Sequence, residues 1–283
     1  MKGIDIVGNI AVVKFSRGTH VKQKKEEAQH MLEIHKSVRT VVEKVGRFKG
    51  RLRVQATKHL LGEKTKEVLY RENGCMFRFN IDTCYFSPRL AAERQEVAQS
   101  VKKGERVLVM FGGVAPFAIV IAKQSKARSV VSVELSRACT KYALENVKRN
   151  KMQEKVEIVQ GDVRKIVPKM KEKFNRIVMT RPNLEDSFLD VAFKAVKKGG
   201  VIQWYGFYEE EKEEEMKQMI AQEAKKAKRK IRILRVKKAG DIGVRKFRWR
   251  LDLKVMMSGT DENLSRQGFS HVKNLLILEH HRE

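Results

Sequence analysis

The chain has 283 residues and carries 61 Lys and Arg against 34 Asp and Glu, a formal net charge of +27. That length holds a full α/β domain plus a smaller one, and so large a positive excess predicts a polyanionic partner. A membrane span and a signal peptide are not expected: no segment reaches the ~18 consecutive apolar residues a span needs, and the opening MKGIDIVGNIAVVKF alternates and contains Asp5.

Ile4 to Phe15 alternates around Gly8–Asn9 and predicts a small hairpin. Lys22 to His35 has helical spacing through Ala28, Met31, Leu32 and Ile34, with a basic outer face. Arg39 to Val45 and Gly50 to Gln55 read as strands. Glu67 to Phe86 reads as a second hairpin turning at Glu72–Asn73–Gly74. Residues 1–86 are therefore expected to form a small α+β domain, followed by a linking helix within 87–103. The three cysteines (Cys75, Cys84, Cys139) lack metal-ligand spacing and read as reduced thiols of a cytoplasmic protein. Cys84 reads as a packing residue. The seven histidines form no ligand set with nearby acids, and no metal is expected.

From Gly104 the pattern becomes strand–helix alternation, which predicts a parallel sheet. Strands are expected near 106–110, 129–134, 155–159, 174–179 and 199–207, and helices near 115–124, 136–150, 183–197 and 209–228. Acids lead and bases end the Glu209–Lys230 segment, which complements a helix dipole. Lys230–Val236 and Phe247–Val255 are expected to pair antiparallel at one sheet edge. The domain would occupy 104–257, and 258–283 forms a less regular tail with one possible element at Val272–Leu278.

The chemistry is concentrated at three strand ends. Arg106–Met110 runs into a small-residue turn, Phe111–Gly112–Gly113–Val114–Ala115–Pro116, and Phe117 continues into a helix. Glu134–Leu135 closes the next strand about 20 residues later, where an acid can hold the ribose hydroxyls of a nucleoside cofactor. Gly161–Asp162–Val163 closes the third, and places a carboxylate for an adenine amino group. A dinucleotide would need a third glycine for its pyrophosphate. Its absence favours a phosphate-free cofactor, S-adenosylmethionine, with Gly112 and Gly113 lying against the methionine part. An ordinary βαβ unit with incidental acids is the plainer alternative.

Tyr85–Phe86–Ser87–Pro88–Arg89–Leu90, then Glu93–Arg94, the MFGGVAPF turn and AVKKGGVIQWYGF resemble the archaeal and eukaryotic tRNA (guanine-37 N1) methyltransferases. The similarity runs from about Ile4 to Val255, and the SPRL-x-x-ER block is its specific part. The resemblance implies a Rossmann-like class I methyltransferase domain behind a smaller α+β domain, in the short form that lacks a tRNA-corner domain. It implies methyl transfer from S-adenosylmethionine to N1 of guanosine 37 in the tRNA anticodon stem-loop. A monomer is expected, because tRNA should cover much of the basic surface. Guanine N1 carries a proton, so a base is needed. By the resemblance Glu93 is that base, Arg53 stabilises the charge on O6, and Arg89 shapes the cofactor pocket. Glu93 could instead form an ion pair with Arg89 or Arg94, and Arg53 could contact RNA backbone.

Two positions depart from the family pattern. Val109 stands where the family has Asp, which bears on cofactor affinity. Thr180–Arg181–Pro182 replaces Asn-Leu-Pro, which bears on the target base. Thr180 keeps a hydroxyl, and Arg181 adds a cation able to meet guanine O6 and N7 or a phosphate. Two alternatives stay open: aminocarboxypropyl transfer to the same tRNA position, and a non-catalytic RNA-binding protein on the same scaffold. Candidate RNA surfaces are the Lys22–Lys36 helix and the Arg245–Lys246–Arg248–Arg250 strand, where Phe247 and Trp249 interleave.

Overall fold

The computed structural model describes residues 3–50, 54–180 and 186–256, without the side chains of 47–49. The expected tail elements and residues 51–53 and 181–185 lie outside this description.

The first hairpin is β1 (Gly3–Val7) and β2 (Ile10–Lys14). Gly8 adopts φ +60, and a Cβ there would run into the Leu69 carbonyl, so both backbone and neighbour require glycine. Helix α1 (Val21–Ile34) crosses over to β3 (Thr40–Lys49), which pairs parallel with β2. Strand β4 (Val54–Gly62) completes the sheet in the order β1-β2-β3-β4. Ala28 and Met31 of α1 close a small core over Ala11, Val13 and Val41. The strand expected at 50–55 lies further along the chain. Gly50 is in a turn at φ +63, and β4 is half-exposed along most of its length, so it carries no clean two-residue period.

The second hairpin is β5 (Glu67–Glu72) and β6 (Cys75–Asn80), joined by Asn73 and Gly74 at φ +49 and +69. Positive φ at both positions suits the twist of a two-residue hairpin. Strand β6 stops at Asn80 instead of continuing to Phe86. The Asn80 side chain accepts from the Asp82 and Thr83 N–H groups at 3.0 and 3.3 Å and turns the chain out of the sheet. Val68, Cys75, Phe77 and Phe79 share one core with Val97, Phe117 and Ala143 of the following domain. The hairpin that the sequence grouped with residues 1–86 is thus packed on the downstream half.

A 3₁₀ turn at Pro88–Leu90 leads into α2 (Ala91–Ser100). Then β7 (Arg106–Met110), α3 (Pro116–Gln124), β8 (Ser129–Glu134), α4 (Arg137–Arg149) and β9 (Val156–Gln160) follow as expected. After a one-turn helix α5 (Val163–Ile166) come β10 (Phe174–Met179), α6 (Leu189–Ala195), β11 (Val196–Glu209) and α7 (Glu213–Lys226). Strands β12 (Ile231–Gly243) and β13 (Lys246–Val255) close the chain. The sheet order is β12-β13-β11-β10-β7-β8-β9, parallel from β11 to β9, with β13 and β12 antiparallel at the edge. Alternation splits β7 between two cores: Val107 and Val109 face α2 and α3, while Leu108 and Met110 face α6 and α7. The helix expected over 183–197 is shorter. It starts after Phe188, which is left-handed at φ +54, and ends as Val196 enters β11. Helix α7 buries Met216, Ile220 and Ala224 as a stripe under a charged outer face. Among the described residues no helix is long and apolar enough to cross a membrane.

Candidate active site

Four parallel strands end at one crevice. Phe111 follows β7, Glu134 ends β8, Asp162 follows β9 and Thr180 follows β10. The strand order reverses at β7, where such sheets open a ligand crevice. The cleft encloses about 980 Å³ including its mouth.

The turn after β7 is unusual backbone. Phe111, Gly113 and Ala115 lie at φ +63, +58 and +66. Each non-glycine in this region costs roughly 1–2 kcal/mol. Local bonds hold it: Thr180 Oγ1 donates to the Phe111 carbonyl at 2.8 Å, and the Ala115 N–H donates to Gly112 O at 2.9 Å. A Cβ on Gly112 would collide with Ser132 Oγ beneath it. The glycines therefore leave bare backbone facing the cleft. Glu134 is fixed against them: Oε2 accepts from the Gly113 N–H at 2.8 Å and Oε1 from the Ser136 N–H at 2.7 Å. Each oxygen retains a second lone pair for a hydroxyl. Asp162 Oδ1 caps α5 through the Arg164 N–H at 2.9 Å. Arg164 in turn pairs with Asp186 and Asp190 and lies 4.6 Å from the Phe188 ring, joining two loops at the cleft mouth.

The opposite wall is Tyr85–Phe86–Ser87. Arg94, 1% exposed, pins it: the guanidinium grips Glu72 with both nitrogens, donates to Ser87 O at 3.0 Å and lies 5.0 Å from the Phe86 ring. The arginine of the ER pair is thus a brace for this wall. Across the wall, between the two domains, lies a second cavity that shares Tyr85, Phe86 and Ser87.

Of the cofactor residues singled out in the sequence, Phe111, Gly112, Gly113, Pro116 and Phe117 line the cleft, as do Glu134 and Leu135 and Gly161 to Val163; Thr180, singled out for the target base, lines it too. Val114 and Ala115 are buried beneath the turn. Val109 packs in the core behind the sheet, away from the cleft. Arg89 does not line the cofactor cleft; it pairs with Asp5 at 2.6 Å and faces the inter-domain cavity. Arg53, Arg181 and Pro182 lie outside the described residues. Leu90, Arg94, Cys139 and Phe188 also line the cleft and were not singled out for it. Phe188 carries no local signal, because one aromatic residue among the acids of residues 185–190 does not show from sequence which way it turns. Cys84 is buried, and hydrogen bonding to Cys139 together with burial pushes its thiol up, which suits packing.

Glu93 is 4% exposed and is absent from the lining of both cavities. Its Oε1 accepts from Tyr205 Oη at 2.7 Å and Arg250 Nη1 at 2.6 Å, and its Oε2 from Lys237 Nζ at 3.0 Å. Arg250 and Lys237 also bind Glu96. The pairing with Arg89 or Arg94 weighed from sequence does not occur. The register explains the placement. Tyr205, Arg250 and Lys237 are cross-strand partners on β11, β13 and β12, and Phe207 and Arg248 stand two residues further along on the same face. Two residues are about 7 Å of strand. Glu93 therefore lies one rung beneath Phe207 and Arg248, which line the inter-domain cavity. Arg248 and Arg250 are 8% and 1% exposed, so that half of the basic strand is interior and does not form an outer RNA surface.

A parallel sheet with an acid-bearing crevice at its switch point, here with a glycine turn, defines a Rossmann-like methyltransferase fold. A family profile described as the TRM5/TYW2 methyltransferase domain matches residues 68–234. The chain belongs to this family. It is 38% identical over 206 residues to tRNA (guanine(37)-N(1))-methyltransferase Trm5b of Pyrococcus abyssi, covering 73% of this chain and 60% of that protein. The crystal structure of that Trm5b superposes with a TM-score of 0.79 at 32% identity, over 90% of this chain and 76% of the other. The complex of aTrm5 with tRNALeu gives 0.79 at 26% identity, over 90% and 72%. A Nanoarchaeum equitans protein, tRNA (guanine(37)-N(1))/4-demethylwyosine(37)-methyltransferase Taw22, is 31% identical over 299 residues, covering 88% of this chain and 98% of its own. The chain spans 57–60% of the length of two of the archaeal Trm5b relatives it matches.

Proposed function

We propose that this chain transfers a methyl group from S-adenosylmethionine to N1 of guanosine 37 in the tRNA anticodon loop. The observation that carries the reading is the shared wall: a nucleoside-type cleft and an inter-domain cavity meet at Tyr85–Phe86–Ser87. Glu134 is the residue for the cofactor ribose, Asp162 for its adenine amino group, and Gly112 and Gly113 lie against its methionine part. When bound, S-adenosylmethionine supplies an activated methyl group. The target base leaves the anticodon-loop stack to enter the second cavity. Arg53 stabilises charge on guanine O6, and Thr180, Arg181 and Pro182 position the base. Exposed lysines of α1, Lys22 and Lys25, contribute phosphate contacts. The protein acts as a monomer in the cytoplasm.

Glu93 is the proposed base. Three donors hold its carboxylate, so one must give way to the guanine N1 proton. Lys237, with a side chain 28% exposed, is the contact nearest solvent. The test is mass spectrometry of nucleosides from unmodified tRNA transcripts bearing guanosine or adenosine at position 37. N1-methylguanosine only from the guanosine transcript supports the reading; no product overturns it. Glu93→Gln should lower product formation by roughly 10²–10⁴-fold, the usual worth of a positioned base, with cofactor affinity retained. Its buried pair with Arg250 also predicts a loss of about 3–5 kcal/mol of stability, so the rate is read per folded, cofactor-bound enzyme; an unchanged rate on that basis would make Glu93 a structural keystone instead.

A second reading accepts a modified guanosine at the same position. Two observations favour it: the Nanoarchaeum relative is named for 4-demethylwyosine as well, and Thr180 points its hydroxyl at the Phe111 carbonyl. Product mass separates this reading, and an aminocarboxypropyl product, from N1-methylguanosine.

A further inference from the structure

The inter-domain cavity holds about 1700 Å³ including its mouth. Lys44 and Gln55 face it from the small domain, Tyr85 and Ser87 from the wall, and Phe207 and Arg248 from the edge of the large sheet. Arg248 is the unexpected member. It is 8% exposed, yet it belongs to a cavity wall. Its guanidinium carbon lies 5.5 Å from the Phe207 ring centroid. A Cβ on Gly240 would sit 3.6 Å from Nη1, so β12 passes close beside the fork. An aromatic ring and a neighbouring strand together hold a planar group in one orientation.

We propose that Arg248, held against Phe207, is the residue that selects guanine, by donating to the O6 and N7 edge of the target base. This rests on the reading of the cavity as the site of the base. Arginine is donor-only. Guanine presents two acceptors, N7 and O6, on that edge, whereas adenine presents an acceptor and an amino donor. A grip on O6 and N7 also leaves N1 uncovered, and N1 is the atom that must face the wall shared with the cofactor cleft. A contact on the Watson–Crick edge would cover it. A phosphate-binding arginine is usually placed in an open groove; this one is buried beside an aromatic ring, which favours a base edge.

The experiment compares transcripts with guanosine, inosine and 7-deazaguanosine at position 37, using wild-type protein, Arg248→Lys, Arg248→Gln and Arg181→Gln. Inosine keeps O6, N7 and the N1 proton; 7-deazaguanosine loses only the N7 acceptor. Calorimetry with S-adenosylmethionine checks each variant's fold, since the cofactor cleft lies across the wall, and affinities within twofold of wild type are expected. Wild type should methylate guanosine and inosine about equally and lose roughly tenfold on 7-deazaguanosine. Arg248→Gln should lose roughly 10–100-fold in kcat/KM on guanosine, the usual worth of a bidentate base contact, and show no further loss on 7-deazaguanosine. Arg248→Lys should fall between. The inference is overturned if Arg248→Gln keeps wild-type activity. It is equally overturned if that variant stays sensitive to the N7 deletion while losing salt-dependent tRNA affinity, the mark of a phosphate contact. Loss of N7 sensitivity in Arg181→Gln alone would move the role to Arg181. A wild-type protein that methylates none of the three transcripts sinks the underlying reading, and this inference with it.

Discussion

Glu134 joins the glycine turn to the strand beside it through two backbone N–H groups, and that orientation precedes any ligand. Replacing it by Gln keeps the shape but turns one acceptor oxygen into an NH2 donor facing a backbone N–H, so one bond is lost and the other loses its charge. Charge-assisted bonds contribute about 1.5–3 kcal/mol each, so Glu134→Gln should weaken S-adenosylmethionine binding by roughly 10–100-fold by calorimetry; an unchanged affinity would remove Glu134 from the ribose site. Glu96 offers a pH test. Burial raises its carboxyl, but hydrogen bonds and charge from Lys237 and Arg250 outweigh burial and hold it at about 2. A folded-state value below the unfolded one means stability that is fully present above about pH 4.5, the ordinary value, and lost as pH falls toward 2. Glu96→Gln should therefore be less stable than wild type at pH 7, by about 2 kcal/mol after allowance for its partial exposure. The gap should narrow below pH 4.5 in denaturant titrations. A constant gap across that range would mean that Glu96 contributes through packing.

Helix α4 is tied to the second hairpin by two asparagines a turn apart. The Asn146 amide accepts from the Arg78 N–H at 2.8 Å and donates to the carbonyls of Arg78 and Val114, while Asn150 does the same for Met76 N and O. Asn146 is fully buried. Asn146→Ala strands several backbone groups, each costing about 1–3 kcal/mol, and should lower the unfolding free energy by roughly 2–4 kcal/mol, against under 1 kcal/mol for an exposed α4 position such as Leu144→Ala. These asparagines show where the sequence was readable. Strands β7, β8 and β10 are rich in apolar and β-branched residues, and their boundaries were legible within a residue. The strand-end acids were legible because a nucleoside site at a parallel-sheet crevice places acids after successive strands. The asparagines were not, since their partners lie 68 and 74 residues away. The burial of Arg248 and Arg250 was equally hidden. Both faces of β13 are covered, and only the arrival of Glu93 and Glu96 from α2 tells which arginines turn inward.

For the molecule as a whole, a net charge of +27 makes the proposed affinity for tRNA a salt-dependent quantity. If about five phosphates are neutralised, affinity should fall by roughly 10²–10³-fold between 50 and 200 mM salt. A flat dependence would place recognition in base contacts and shape instead. Cofactor affinity, which the proposal assigns to Glu134 and bare backbone, should change little over the same range. The two dependences separate the basic exterior from the crevice.

The second hairpin is a two-stranded ribbon, and such a ribbon ordinarily offers two raw edges to any passing strand. Here three side-chain amides behave as borrowed peptide units. Asn146 and Asn150 complete β6, and Asn9 completes β5 by accepting from Leu69 N–H and donating to Glu67 O. The ribbon therefore reaches closure without a third strand. Its stickiness toward other copies depends on whether the first hairpin and α4 have already docked. During synthesis Asn9 is made first and α4 last, so the β6 edge stays open until residue 150 has emerged, and this is the interval in which a nascent chain is most exposed to intermolecular pairing.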